Sequence, residues 1–549
     1  MNPCSGAVGS GIFVLSGAIS HSNAGPATSL SWLIGGVVCS ATALSYAELS
    51  CVVPSSGSSY SFSYYTLGEV FAVLGAYFLT LEYGIAAAAV ARSWGDKAAF
   101  YAMEMEALGC AKGQRCWVNS IDLVPLEMEA NPSAAMLCIG TVITLLCGVQ
   151  VSRLAVNILV VLKVGLVLFV IIIGFQHFDS ANVSPFIPPP PEPGTNDTFV
   201  GGMHGVLLGT TIAFFGFIGF DEVTCLTMEA VNPQRDIPLA VLGTITAVTT
   251  LYILASFALV GMVPYREIDD QEGFGSAFRI VGADWAMHIV MIGQILIVLP
   301  AVVLVSFLPQ SRLLASVARD GLLPKLFAYE NEHGNLTRGI LASGIVMTLV
   351  SLLVPFQDLN DLISGGILLA FNLTNTSLLM LRSRGEFAPL LVGGYVTVSA
   401  VLAMYLVHGD KNVAIMVVLG VVAVLCVAGM RHCTALALEA PATAFVAPGV
   451  PFVPAFAIFS NWFLFAQLST SGFVQVGVFV AIALGVYLVA RLCGMIFMEH
   501  THHLVNDETD IWESDPSEES GSSPGPPGAR SDGVESPSRR SSTVEIELS

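Results

Sequence analysis

Long apolar runs separated by short polar connectors recur from about residue 6 to residue 498. The hydrocarbon core of a bilayer takes roughly 20 apolar residues of helix, and windows of that length give about fourteen segments here. They begin near Gly6, Ala27, Glu69, Ala134, Leu154, Gly205, Leu239, Trp285, Arg338, Leu359, Pro389, Asn412, Val450 and Val474. In lipid each segment must satisfy its own backbone hydrogen bonds, so the expected fold is an all-α polytopic membrane protein. Residues 499–549 are rich in Ser, Pro, Gly and acid without apolar periodicity, and read as a disordered tail.

Two segments depart from plain hydrophobicity. The sixth, GVLLGTTIAFFGFIGFDE from Gly205, sets Gly216 and Gly219 among phenylalanines and follows them with Asp221 and Glu222. An acidic pair just past mid-span is costly in hydrocarbon, so it must face protein or a cavity. Transporters interrupt helices at mid-membrane to offer bare backbone groups to a substrate, and glycines in a span are the sequence sign of it. The first segment carries a similar run, GAVGSGIF from Gly6. A half-helix of about ten residues is expected before such a break. The chain offers less than that, so its native N-terminus is expected to be longer.

Composition agrees with a membrane protein. The 549 residues are 54% hydrophobic and 11% charged, with mean hydropathy +0.74, against about 25% charged in soluble domains. The net charge of −20 gathers in loops and tail, leaving no basic face for nucleic acid. Eleven cysteines are scattered without C-x-x-C or His/Cys ligand spacing, so no metal or other cofactor is expected. No nucleophile–base spacing or phosphate loop marks an enzyme. Placing the start inside puts Arg153, Arg235, Arg312, Arg319, Lys325, Arg338, Arg382, Arg384, Arg431 and Arg491 in inner loops, with Arg92, Lys97, Lys112, Arg115, Arg266, Arg279 and Lys411 on the outer side, several of them in long loops that weigh little. Both termini are then cytoplasmic. The sequon at Asn196 falls outside, where it can be glycosylated, and the one at Asn335 falls inside and is silent.

Charges deep inside segments are the sharpest chemical signals. Lys163, in NILVVLKVGLVLFVIIIG, sits roughly nine residues, or ~13 Å, from either end. That is too deep to snorkel, so it faces protein or water. A buried lysine favours its neutral form and titrates readily, which suits a proton-coupling site. A permanently charged structural lysine bonded to carbonyls of the first segment is the other reading, and both stay open. Glu82 is a second deep charge, placed to complement a cationic side chain or to pair with Lys163 or a backbone donor. Asp221 and Glu222 either hold the interrupted helix, with Asp221 at a helix start, or attract a cation. Arg235 with Asp236, and Arg312 with Arg319, read as inner-face gate or scaffold charges.

Several stretches together resemble a known family: GAVGSGIFVLSG at 6–17, the run 24–69 that includes SYAELSCVVPSSGSSYSFSYYTLGE, GFIGFDEVTCLTMEAVNPQRDIP at 216–238 and SRLLASVARDGLLPK at 311–325. They are similar to the amino acid–polyamine–organocation superfamily, and more narrowly to the cationic amino acid transporters. FVPAFAIFSNWFLFAQLS at 452–469 resembles that family's penultimate span. The resemblance implies a transporter domain over 1–498. Within it a LeuT-like five-plus-five inverted repeat covers about 6–382, with discontinuous first and sixth helices, and four additional helices follow over about 389–498. It also implies that a substrate α-carboxylate meets amides around Gly9, Ser10, Gly11 and Ile12, at a positive helix end. The α-ammonium would meet carbonyls freed at Phe215, Gly216 and Ile218, with Phe220 or Phe215 as a gate. Glu82 and Lys163 match the family's third-span glutamate and its proton-coupling lysine.

The expected cargo is a cationic amino acid such as arginine, lysine or ornithine, moved by alternating access. Around Ile292–Leu296 and Pro300 the eighth segment departs from the family's small polar lining. That leaves neutral amino acids, polyamines or a non-transporting receptor as alternatives. Proton-coupled and potential-driven flux both stay open, because a cation alone gains about 2.3 kcal/mol per charge per 100 mV. No obligate protein partner is expected beyond the bilayer. The plasma membrane is the first location, a vacuolar or lysosomal membrane the second.

Overall fold

The computed structural model describes residues 10–55, 57–106, 121–123, 128–147, 153–192, 198–225, 232–331, 335–409, 412–435 and 445–492. All belong to the unit Met1–Phe497. The expectations for Gly9, Asn196 and the tail lie outside them. Among the described residues, nine helices are long and apolar enough to cross a membrane, and four shorter apolar helices accompany them.

In chain order the helices are α1 (Ser10–Ala18), α2 (Thr28–Val52), α3 (Ser59–Thr66), α4 (Glu69–Glu104), α5 (Pro132–Leu146), α6 (Arg153–Gln176), α7 (Gly202–Ala213) and α8 (Pro233–Met262). There follow α9 (Phe274–Ile280), α10 (Asp284–Arg319), α11 (Thr337–Leu353), α12 (Phe356–Arg382), α13 (Ala388–His408), α14 (Val413–Ala435), α15 (Phe452–Phe465) and α16 (Thr470–Leu492). Starts expected from hydropathy and starts observed differ most at α8, Pro233 against Leu239. That helix begins in a polar turn, where Asn232 O accepts from Asp236 N at 2.9 Å and Pro233 fills the first position, whose amide is not needed.

Several helices depart from plain α geometry at positions the sequence does not mark as breaks, and the expected break before Ser10 lies outside the described residues. Residues Gly11–Val52 form one 42-residue helical stretch. A straight rod of that length would reach roughly 60 Å, about twice a hydrocarbon core. It turns through the π segment Ile19–Ala24 and the short 3₁₀ segment Gly25–Ala27. π segments also widen α4 at Leu81–Ile85 and α10 at Gln294–Val298; Trp94 Nε1–H donates to Ile295 O there at 2.7 Å. Pro238 lies inside α8 and has no amide to give Gln234 O, and the Cys51 thiol occupies that carbonyl instead at 3.6 Å.

One element escapes the all-α expectation. β1 (Ile121–Leu123) and β2 (Met128–Ala130) form an antiparallel ribbon with Ile121 opposite Ala130. Arg92 Nη1 donates to Glu129 O at 3.4 Å and to Leu352 O at 3.0 Å, tying the ribbon to α4 and α11. Arg92 and Lys97, counted above with outer-side charge, are therefore buried helix residues, 5% and 1% exposed. Hydrophobic windows cannot find such positions, because the long stems pack while the charged ends reach carbonyls.

At the opposite face, Arg382 Nε donates to Glu48 Oε1 at 2.5 Å, and Ala447 N–H reaches Glu48 Oε2 at 2.7 Å. The pair joins α2, α12 and the approach to α15. Removing one partner of a buried ion pair costs about 3–5 kcal/mol. Arg382→Ala should therefore lower the thermal midpoint of the detergent-purified protein sharply, with Arg382→Lys recovering part of the loss. An unchanged midpoint in the alanine variant would show the pair contributes nothing.

Candidate functional site

The sixth segment is broken. α7 tightens into the 3₁₀ turn Phe214–Phe217, and Ile218 then leaves helical geometry at φ −52°, ψ 140°. Gly219 follows at φ +105°, where a side chain would be strained. Asp221 secures the turn. Its Oδ1 accepts from Gly219 N–H at 3.3 Å, its Oδ2 from the Tyr83 hydroxyl at 2.6 Å, and its carbonyl from Thr224 N–H and Oγ1 at 2.8 and 2.7 Å. The side chain thus reaches back along the chain, unlike the helix-start role also considered for it.

α1 crosses this break in backbone contact. A Cβ on Gly11 would lie 2.2 Å from Gly216 Cα, and one on Gly216 would lie 2.5 Å from Trp32 Cη2. Ile12 beside it is fully buried. Ser10 lies in α1 at the same crossing. The aromatics expected as gates separate. Phe215 meets Phe356 edge-on, ring centroids 5.5 Å apart. Phe220 is held between Tyr46 and Phe371 at 5.6 and 5.4 Å.

The deep charges converge. Glu82, Lys163, Asp221 and Glu222 are all buried. They come from the π segment of α4, from α6 and from the break. The Ser306 hydroxyl of α10 donates to Glu222 Oε1 at 3.0 Å, and Lys163 acts electrostatically on Glu222. Among the described residues no donor reaches either oxygen of Glu82. What it faces is the carboxyl of Asp221. Lys163 therefore couples to Glu222, whereas Glu82, the other acid considered for it, turns to Asp221.

Further along α1, Val14, Leu15 and Ala18 face a cavity of about 470 Å³, which Ile212 and Phe356 also line. None of Gly11, Ile12, Phe215, Gly216, Ile218, Phe220 or Glu82 lines it. The side of the break away from this cavity is tied across by Ser58 Oγ to Thr224 Oγ1 at 2.8 Å and by the Tyr60 hydroxyl to Asp320 Oδ2 at 2.6 Å. Burial pushes the Asp320 carboxyl above the usual carboxylate range, although the Tyr60 hydroxyl bond opposes it.

The scaffold charges are dispersed. Arg235 and Asp236 are exposed in the first turn of α8. Arg319 pairs with Glu330 at 2.6 Å in an exposed position, an interaction worth about 0–1 kcal/mol. Arg312 is half-buried and acts electrostatically on Cys225. Tyr83, Ser306, Phe356 and Thr224 escaped sequence reasoning. Only Tyr83, adjacent to Glu82, carried a signal.

The backbone contact sets an expectation. Gly11→Ala must part the two segments at their crossing, so it should reduce both thermal stability and any uptake, whereas Gly140→Ala in α5, where a Cβ meets nothing within 4 Å, should reduce neither. Equal behaviour of the two variants would remove the crossing from the site.

The sequence matches the family described as Amino acid permease over residues 3–465, and the one described as C-terminus of AA_permease over residues 445–492. Cationic amino acid transporter 3, mitochondrial, of Arabidopsis thaliana is 33% identical over 382 residues, 68% of this chain and 60% of that protein. Methylthioribose transporter of Bacillus subtilis (strain 168) is 33% identical over 383 residues, 69% of this chain and 78% of its own length. Cationic amino acid transporter 9, chloroplastic, of Arabidopsis thaliana is 31% identical over 498 residues, 87% and 84% of the two chains. The match thus spans less than two thirds of the first of these relatives and most of the other two. With long apolar helices, an interrupted span and a family match running through the site and most of the chain, this protein belongs to the amino acid permease family of the amino acid–polyamine–organocation superfamily.

Proposed function

We propose that the protein is a secondary transporter of amino acids, cationic ones such as arginine, lysine and ornithine first, working by alternating access. The observation that carries this is the unwound turn at Ile218–Gly219 lying next to the α1 crossing, with four ionisable side chains buried around it. In this reading about fourteen spans make up a domain over 1–498. An inverted-repeat core covers about 6–382, additional helices cover about 389–498, and the tail over 499–549 is cytoplasmic. Both termini are inside, and Asn196 is the glycosylated loop residue. The 470 Å³ cavity then opens outward, while the Tyr60–Asp320 and Ser58–Thr224 contacts seal the inner side.

Cargo enters from the cavity, and parting of Gly11 from Gly216 admits it to the crossing. Its α-carboxylate is received by amides at Gly9, Ser10, Gly11 and Ile12, and its α-ammonium by carbonyls at Phe215, Gly216 and Ile218. Phe215, edge-on to the cavity residue Phe356, suits the gate better than Phe220. Release inward requires the contacts around Asp221 and Thr224 to part, with Arg235, Asp236, Arg312 and Arg319 on the moving inner surface. Lys163 with Glu222, and Glu82 with Asp221, form the proton-coupling group. A charge change on either pair alters what the break and α6 hold in common.

A second reading has one specific support. The methylthioribose transporter of Bacillus subtilis is as similar as the cationic transporter, so a neutral cargo fits the same scaffold. The relatives' names place them in several organelles; for this chain the plasma membrane comes first and a vacuolar membrane second.

Uptake of radiolabelled arginine into proteoliposomes, competed by excess lysine, ornithine, leucine, putrescine or methylthioribose, tests the cargo. Lysine and ornithine should compete fully and the others weakly. Competition by neutral compounds alone would overturn the cationic assignment, and binding without flux would mark a receptor. In the same assay Lys163→Ala should abolish uptake or its pH dependence. Unaltered pH-dependent uptake would exclude Lys163 from coupling.

A further inference from the structure

The cavity beyond the crossing carries more charge than a passage needs. Five carboxylates line it (Asp96, Glu129, Asp270, Glu272 and Asp361) against two bases, Arg92 and Lys97. Both bases spend donors on backbone. Arg92 bonds Glu129 O and Leu352 O, and Lys97 Nζ bonds Gln271 O. Lys97 approaches Glu272 Oε2 only to 4.0 Å.

Among the described residues, two acceptors in the lining have no hydrogen-bond donor. Glu272 Oε2 and Asn360 Oδ1 are buried without a hydrogen-bond partner, in side chains 3% and 8% exposed. They come from different elements, the loop before α9 and the first turns of α12, and both line the same space. Buried acceptors of this kind call for a donor from outside the chain.

We propose that this cavity is itself a binding site, separate from the crossing, for the ammonium or guanidinium end of an extended organic cation, with Glu272 and Asn360 as its acceptors. Ammonium and guanidinium groups bring donors only, three and five respectively. That complements the two unmet acceptors, Glu272 Oε2 and Asn360 Oδ1; the Arg92 Nε donor, also buried without a partner among the described residues, belongs to a group that already bonds two carbonyls. The volume of about 470 Å³ falls in the range of small-molecule pockets, roughly 300–1,000 Å³. A bare metal ion fits worse, since among the described residues no three His, Cys, Asp or Glu side chains come close enough to hold one. An anion would face the surplus of carboxylates. The role follows from the carrier reading: the site holds cationic cargo by its side-chain end before the crossing opens. The binding itself does not depend on that reading.

Titration gives a second signature. Burial pushes the Glu272 carboxyl up to about 7, with Lys97 opposing and Asp269, Asp96 and Arg279 acting on it. Asp270, Asp361 and Arg92 also face the cavity. Below about pH 7 Glu272 is protonated and loses its charge for the cation; above it the carboxylate is restored. Cation binding should therefore be tighter at pH 8 than at pH 6.

The test uses the full chain in nanodiscs at low salt, with radiolabelled agmatine as the probe. Agmatine carries an ammonium and a guanidinium but lacks the carboxylate that the crossing is read to require. Saturable binding is expected, weakened at least tenfold by Glu272→Gln and by Asn360→Leu and tightened by Asn360→Asp. The difference between pH 8 and pH 6 should flatten in Glu272→Gln. The gain in Asn360→Asp cannot arise from misfolding, so the proposal stays testable if the first two variants fail to fold. Absence of saturable agmatine binding, or binding unchanged by both Glu272→Gln and Asn360→Asp, overturns it. Failure of the carrier reading shows separately, as absence of arginine uptake by the wild-type protein.

Discussion

A helix interrupted at bilayer depth strands amides and carbonyls in a medium that cannot hydrogen-bond them. The rest of this structure is arranged around that constraint. The break at Ile218–Gly219 survives because Asp221 takes the Gly219 amide, Tyr83 and Thr224 secure Asp221, and α1 lies directly against Gly216. Aromatic rings fill what remains: Trp32 and Phe217 at 5.6 Å on one side, Phe220 with Tyr46 and Phe371 on the other. Water and lipid are kept from the loosened backbone by ring area, and the groups that bond it are few and specific.

The same enclosure explains the buried charges. An isolated ion would be intolerable there, yet the acids and Lys163 occur as a group drawn from two helices and the break. Glu222 has a hydroxyl and a lysine, Asp221 a phenol and an amide, and Glu82 has only another carboxyl. Each of these charges thus has a neighbour inside the protein, an arrangement that suits coupling on the carrier reading.

Much of this was legible from residues alone. Apolar windows placed nearly every helix, because the bilayer imposes a length on each one. Glycines among phenylalanines marked the sixth segment, and depth alone marked Lys163 and Glu82. Pairings were not legible. Nothing in the spacing of Lys163 and Glu222 says they meet, since separate helices carry them and packing decides. Tyr83, Ser306 and Phe356 serve the site through direction, which composition does not encode. The strands at 121–123 and 128–130 were missed because strands of three residues carry too little pattern, and the burial of Arg92 and Lys97 was not legible because charge in a window says nothing of where the stem packs.

The contact between Gly11 and Gly216 has a kinetic meaning. Two facing glycines have no rotamers to freeze when they meet or to reset when they part. A junction made of larger side chains would have to re-interlock at every closure and would favour one seated position. Main chain against main chain imposes no such detent, so on the carrier reading the segments part and return at this point with little friction.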